Sequence, residues 1–116
     1  MRKDKFPNKG LPPVEQVSEQ QIRQTHAEIA DQSGELSELD LHGQTGQEAS
    51  LNVYGYVARM TASGELCCRI VHGKGTGVLQ QVVTDELEDL MQQNVIETYF
   101  QSQKYPGAAV TVVFPT

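Results

Sequence analysis

The chain has 116 residues, of which 38% are apolar and 21% charged, and this predicts one compact domain. Its formal net charge of −6, from 9 basic and 15 acidic residues, excludes a protein that coats nucleic acid through bulk charge, but not one with a local phosphate site. No apolar run reaches the roughly 18 residues that a membrane-spanning helix requires. No membrane partner is therefore predicted. The two cysteines, Cys67 and Cys68, are adjacent, which is typical of reduced thiols and predicts a cytoplasmic protein.

The first part of the chain is predicted to form a tail and a helix that precede the main domain. Residues 1–13 are rich in proline and basic side chains and are typical of a flexible tail. Residues 14–35 carry apolar side chains, among them Ile22 and Ile29, at roughly helical spacing. This predicts a weakly amphipathic helix that packs either on the domain or on a partner. The main domain is assigned to residues 36–116.

Hydrophobic spacing divides the main domain into six elements. In chain order they are a strand at 39–43, a helix at 46–60, a strand at 66–71, a helix at 79–91, and strands at 95–100 and 109–114. This βαβαββ order predicts a two-layer α/β domain with a right-handed βαβ crossover at its centre.

A glycine-rich loop joins the second strand to the second helix. Gly73, Gly75 and Gly77 allow tight turns and a close approach of the backbone to a ligand, and the following helix offers unpaired N–H groups to an anion. Lys74 adds a positive charge, and Thr76 is placed to cap the helix or to contact a phosphate. The alternative is a tight connection that needs glycine only for its geometry. Neither a Walker A loop nor a GxGxxG fingerprint is present, which disfavours a nucleotide cofactor.

Two histidines end predicted strands, and each is followed by glycine. If the strands are parallel neighbours, His42 and His72 lie at the same edge of the sheet, where open α/β sheets bind ligands. Two imidazoles suit proton transfer, and Lys74 with oriented N–H groups suits a phosphate, which are the parts that phosphodiester cleavage needs. Asp40, His42 and His72 are also legitimate metal ligands, although their spacing is no metal-site signature. A cysteine nucleophile is poorly supported.

Two motifs in this order resemble the Smr (small MutS-related) domain family. The resemblance covers about residues 37–115 and rests on the segments 39–43 (Leu-Asp-Leu-His-Gly) and 70–79, which contains His-Gly-Lys-Gly-Thr-Gly. The LDxH and HGxG motifs of the family map onto Leu39, Asp40, His42, His72, Gly73 and Gly75. The resemblance implies a fold like the C-terminal half of bacterial translation initiation factor 3, with a four-stranded mixed sheet backed by two helices.

The same resemblance implies an endonuclease that nicks or cleaves DNA or RNA, either within a larger MutS-type chain or at ribosomes. In that interpretation His42 and His72 share proton transfer, and Asp40 orients His42 or holds a divalent cation such as Mg²⁺ or Mn²⁺. Lys74 and the N–H groups of residues 73–77 bind the phosphate. The chain departs from the family where Pro106-Gly107 replaces a usual Gly-Gly pair.

Two other functions remain open. A non-catalytic module could bind nucleic acid or a ribosome through the same glycine-rich loop. A protein-interaction adaptor would instead use the helix predicted in residues 14–35. Histidine in the first motif favours catalysis, because binding alone gains little from it.

Overall fold

The computed structural model describes residues 17–33 and 35–115, so the predicted tail lies outside the described residues. The elements are α1 (Glu19–Ser33), β1 (Glu38–Asp40), α2 (Gly46–Ala62), β2 (Cys67–Val71), α3 (Val78–Gln92), β3 (Thr98–Gln101) and β4 (Ala109–Val113). In these two ranges, no helix combines the length and the apolar character that crossing a bilayer demands.

The four strands form one mixed sheet in the order β1-β2-β4-β3. β1 is parallel to β2, whereas β2 with β4 and β4 with β3 are antiparallel. Asp40 lies opposite Val71, and the N–H of Leu41 donates to the Val71 carbonyl at 2.9 Å. The predicted α/β fold with a four-stranded mixed sheet is confirmed, and the first two strands end at the same edge.

The larger core lies between one face of the sheet and the helices α2 and α3. Side chains alternate along a strand, so Cys68 and Ile70 face these helices while Cys67 and Arg69 face the other way. The buried members of this core are Leu41, Ala49, Val53, Tyr56, Val57, Cys68, Ile70, Val83, Leu87, Leu90, Ile96, Val110, Val112 and Phe114.

Helix α1 covers the opposite face of the sheet and adds a third layer. Its Ala27 packs with Cys67 and Val113 in a second, smaller cluster. Of the two alternatives for this helix, the structure therefore shows packing on the domain. The face of α1 that packs on the sheet is not the face predicted from Ile22 and Ile29. These two side chains point outward, and the residues are 56% and 65% exposed.

The contact between α1 and the sheet is centred on a buried ion pair of Asp31 with Arg69. Nε and Nη2 of Arg69 donate to Asp31 Oδ1 at 3.1 and 2.9 Å, and Nη2 also donates to the Asp31 carbonyl at 2.7 Å. Nη1 of Arg69 donates to Glu38 Oε2 at 2.7 Å. A charge within a buried strand requires such partners, because an unpaired buried charge is costly.

Further donors saturate the Asp31 carboxylate. The hydroxyls of Ser102 and Thr111 each donate to Oδ1 at 2.7 Å, and the backbone N–H of Gln103 donates to Oδ2 at 2.8 Å. Burial acts to raise the pKa of Asp31, but these hydrogen bonds and the one from Arg69 outweigh it, so the pKa lies below its ordinary value. An ionised carboxylate thus holds α1 on the sheet and ties down the chain that follows β3.

The element boundaries differ from the predictions mainly around turns. The strand predicted at 39–43 ends at Asp40, because Gly43 has a φ of 79° and Gln44 N–H donates to the Leu41 carbonyl at 3.0 Å. The strand predicted at 95–100 begins only at Thr98, after a turn in which Asn94 has a φ of 63°.

Candidate active site

A cavity of about 330 Å³ opens at the sheet edge where β1 and β2 end. One wall is the turn that leads into α2, residues 44–46, and the other is His72, Gly73 and residues 75–80. The N-terminal ends of α2 and α3 therefore both border the cavity. Because each helix N-terminus carries unpaired N–H groups and the positive end of the helix dipole, this position suits an anion.

His72 is the histidine that lines this cavity, and its side chain is only 4% exposed. Its Nδ1 lies 2.7 Å from the carbonyl oxygen of Gly73. A carbonyl only accepts, so Nδ1 carries a proton in this contact and Nε2 of the neutral ring has a free lone pair. Nε2 is buried and has no hydrogen-bond partner among the described residues.

The N-terminus of α3 is left without the side-chain cap that α2 possesses. Thr45 and Glu48 form a reciprocal capping box on α2. The N-cap of α3 is Gly77, in the left-handed conformation with a φ of 91° and no side chain to cap with. Thr76 Oγ1 lies at the long distance of 3.5 Å from Val78 N. The first turn of α3 thus keeps N–H groups available to a ligand.

Lys74 is exposed between Gly73 and Gly75, and its side chain passes a second loop. A Cβ on Gly107 would lie 3.8 Å from Lys74 Cε. The backbone N–H groups of His72 and Gly73 both donate to the carbonyl of Ala108 at 2.9 Å. The loop containing Pro106-Gly107, where the chain departs from the resembled family, therefore supports the glycine-rich loop directly.

His42 and Asp40 lie at the same edge but outside the cavity wall, and both are exposed. Asp40 Oδ1 accepts a hydrogen bond from the backbone N–H of His42 at 2.9 Å. This contact shapes the turn that carries His42 and does not involve its imidazole ring. The structure thus gathers His72, Gly73, Gly75, Thr76 and Gly77 around one cavity and leaves Asp40, His42 and Lys74 exposed beside it.

The described residues do not fit a metal centre built from protein ligands. Within residues 17–33 and 35–115, no three His, Cys, Asp or Glu side chains are grouped to hold a metal ion. Cys67 and Cys68 are buried free thiols, and burial raises the pKa of each.

Sequence reasoning missed the wall contributed by the turn before α2. Gln44, Thr45 and Gly46 line the cavity, and Asn52 Nδ2 holds Gln44 by donating to its Oε1 at 2.8 Å. The signal was present, because a Thr-x-x-Glu capping box marks a helix N-terminus beside the first His-Gly pair.

The family model of the Smr domain matches residues 39–115. The chain belongs to the Smr domain family. Both predicted motifs and the whole sheet except Glu38 lie within the matched residues, whereas α1 precedes them.

Named relatives and a solved structure agree with this assignment. The chain is 33% identical over 103 residues to an endonuclease MutS2 of Enterococcus faecalis, covering 89% of this chain and 13% of that protein. It is 35% identical over 69 residues to a ribosome rescue factor SmrB of Shewanella baltica, covering 60% of this chain and 38% of that protein. The crystal structure of the Smr domain of Thermus thermophilus MutS2 matches with a TM-score of 0.61 and 30% identity, over 70% of this chain and 100% of that one.

Proposed function

We propose that this Smr domain is an endonuclease that cleaves phosphodiester bonds in nucleic acid. The observation that carries the proposal is the state of His72, which lines the cavity with its Nδ1 held by the Gly73 carbonyl and its Nε2 buried without a described partner. A buried nitrogen left in this state is costly unless a water molecule or a ligand uses it. The relatives named endonuclease MutS2 and ribosome rescue factor SmrB point to the same class of substrate.

The cavity would hold one phosphate of the substrate. The uncapped first turn of α3 supplies N–H donors, and Lys74 supplies a mobile positive charge beside them. These groups stabilise negative charge as it grows on the phosphate during cleavage. The acidic body of the protein keeps other parts of its surface unattractive to nucleic acid, so binding is focused on this edge.

For an RNA substrate, the chain's own groups suffice for the reaction. For this step the ring of His72 must turn, or its loop must open, to expose the buried Nε2. Nε2 then takes the proton of the 2′-hydroxyl, and the 2′-oxygen attacks phosphorus to form a cyclic phosphate. The bond from phosphorus to the 5′-oxygen breaks, and protonated His42 gives its proton to that leaving oxygen. Asp40 acts by fixing the turn that presents His42. DNA lacks the 2′-hydroxyl, so its cleavage would require an activated water molecule and an added Mg²⁺ or Mn²⁺.

The test is to incubate the purified chain with structured RNA and with supercoiled plasmid, with added Mg²⁺ or Mn²⁺ and with a chelator. His72→Asn keeps a donor near the Nδ1 position but removes Nε2, and we expect it to lower the cleavage rate by about 10²- to 10⁴-fold. His42→Ala should also lose most of its activity. His26→Ala is the matched control, since His26 is exposed on α1. Full activity in His72→Asn would overturn the proposal.

The exposure of His42 favours a second candidate function. Because His72 is the single histidine in the cavity wall, the same edge could bind a phosphate without cleaving it. In a binding module, Lys74→Ala would weaken binding to nucleic acid while His42→Ala would change neither binding nor any cleavage. Lys74→Ala and His42→Ala, measured for both binding and cleavage, therefore separate the two functions.

The affinity for a particular substrate is proposed to come partly from other domains or from a ribosome. The chain spans 13% and 38% of the lengths of the two curated relatives described above. Their larger architectures would bring this acidic domain to its substrate, which its own surface charge does not favour.

A further inference from the structure

The loop of residues 102–108, called the Tyr105 loop below, carries an aromatic ring and a lysine next to the glycine-rich loop. Lys74 and Lys104 are the only lysines among the described residues, and both belong to this region. Lys104 Nζ lies 5.7 Å from the ring centroid of Tyr105. Tyr105 is 37% exposed, and its loop meets the glycine-rich loop at Gly107, where an added Cβ would lie 3.8 Å from Lys74 Cε.

The Tyr105 loop is held rigidly on both sides. At its start, Ser102 Oγ accepts hydrogen bonds from the backbone N–H groups of Lys104 and Tyr105 at 3.2 Å, while donating to Asp31. At its end, Ala108 N–H donates to the Tyr105 carbonyl at 3.0 Å, and the Ala108 carbonyl receives the two N–H groups from the His72-Gly73 segment. These contacts fix the backbone of the Tyr105 loop relative to the His72-Gly73 segment.

The guanidinium of Arg69 fixes the orientation of the ring. Arg69 Cζ lies 5.3 Å from the Tyr105 centroid, and Arg69 has no exposed surface. The Tyr105 ring thus packs on the buried Arg69, on the α1 side of the sheet, while part of the residue stays exposed. A tyrosine pre-oriented in this way loses little conformational entropy when a flat group stacks on it.

We propose that Tyr105 is a stacking platform for a base that flanks the phosphate in the cavity, and that Lys104 contacts the adjoining phosphate. The ligand is thus a single-stranded segment of nucleic acid, since a base must leave its duplex to stack on a protein ring. This subsite rests on the proposed function for the position of the cleaved phosphate. Asp31 and Arg69 act as positioning residues, so α1 supports the subsite although it precedes the family-matched residues.

The test measures binding of fluorescein-labelled single strands by anisotropy. The strands are 2′-O-methyl RNA, which cannot use a 2′-hydroxyl for cleavage, and DNA of the same sequence, so the two arms show which sugar is preferred. We expect Tyr105→Ala to weaken binding by about five- to a hundredfold. Tyr105→Phe keeps the ring and should stay within about twofold of the wild type. Tyr105→Leu keeps apolar bulk without a ring, so it should resemble Tyr105→Ala.

Two ligand controls separate stacking from a structural effect of the substitutions. Polyphosphate has charge but no bases, so its affinity should be the same for the wild type and Tyr105→Ala. Lys104→Ala should lower the slope of log affinity against log salt by about 0.7, the contribution of one phosphate on a single strand. Equal losses for polyphosphate and for the oligonucleotides would overturn the stacking role.

The outcome also distinguishes this subsite from the nuclease itself. If the chain cleaves nucleic acid and Tyr105→Ala binds like the wild type, the subsite is wrong and the nuclease stands. If the chain binds single strands in a Tyr105-dependent way without cleaving them, the nuclease is wrong and the subsite stands.

Discussion

Two buried polar side chains of this domain, Asp31 and His72, differ in how completely their polar atoms are hydrogen-bonded. The carboxylate of Asp31 accepts hydrogen bonds from three neighbours besides its ion pair with Arg69. His72 makes one side-chain hydrogen bond, to Gly73, and its Nε2 is left over within the described residues. A saturated group contributes to stability, whereas the unsaturated Nε2 of a residue that lines a cavity is free to contact a ligand. Asp31 therefore supports the fold around the candidate site, whereas His72 belongs to the site itself.

Replacing Asp31 by Asn should destabilise the fold more than any other substitution proposed for this domain. The amide is neutral and presents N–H groups to donors, so the charge of Arg69 loses its main partner. Glu38 remains as a second, partly exposed partner. We expect the free energy of unfolding to fall by about 3 kcal/mol, at the lower end of values for breaking a buried ion pair. Urea denaturation followed by circular dichroism measures this.

The matched control is Glu28→Gln, which makes the same chemical change at an exposed position of α1. It should alter the free energy of unfolding by less than about 0.5 kcal/mol. If both substitutions cost the same, the saturated cluster would not be what stabilises the packing of α1.

The stability supplied by Asp31 should depend on pH. Its pKa is lower in the folded state than the ordinary value of 3.8, so the folded state favours the ionised carboxylate. This contribution is complete well above pH 3.8, shrinks as the pH falls below that value, and disappears below the folded pKa. Urea denaturation at decreasing pH should therefore bring the wild type and Asp31→Asn together. Parallel pH curves would contradict the assignment.

Hydrophobic spacing predicted most of the fold because burial dominates those elements. α2, α3, β2 and β4 begin and end within a few residues of their expected positions. α1 was the exception in its packing. Only Ala27 and Asp31 are buried along it, and its larger apolar residues point outward. A contact made by an ion pair leaves no hydrophobic stripe, although Arg69 within an apolar strand indicated that some partner must exist.

The candidate site was predictable where it depends on local motifs. The glycine-rich loop and His72 follow from a strand, a turn and a helix in succession, and the structure places both at the cavity. The surroundings depend on contacts distant in sequence. Neither Gln44 in the cavity wall nor the support from Ala108 follows from nearby residues, because each requires the completed sheet.

Replacing Gly77 or Gly75 by alanine should change the free energy of unfolding by different amounts, and both effects should be smaller than that of Asp31→Asn. Gly77 has a φ of 91°, so Gly77→Ala should lower the free energy of unfolding by about 1–2 kcal/mol. Gly75 lies outside the left-handed region, and a Cβ there would meet no described atom within 4 Å. Gly75→Ala should therefore be neutral or stabilising, by up to about 1 kcal/mol. Thermal or urea unfolding of both variants checks this, and equal losses would show that backbone strain is not the difference.

Only a small change in stability is expected at His72, where the loss of activity proposed above is large. His72→Asn keeps a donor to the Gly73 carbonyl, loses some ring packing, and removes a buried nitrogen without a described partner. These terms oppose one another, so the free energy of unfolding should change by no more than about 1 kcal/mol. Urea denaturation beside the cleavage assay tests this. A loss of stability as large as that of Asp31→Asn would mean that His72 also holds the fold together. The contrast between Asp31 as a structural residue and His72 as a residue of the candidate site would then be wrong.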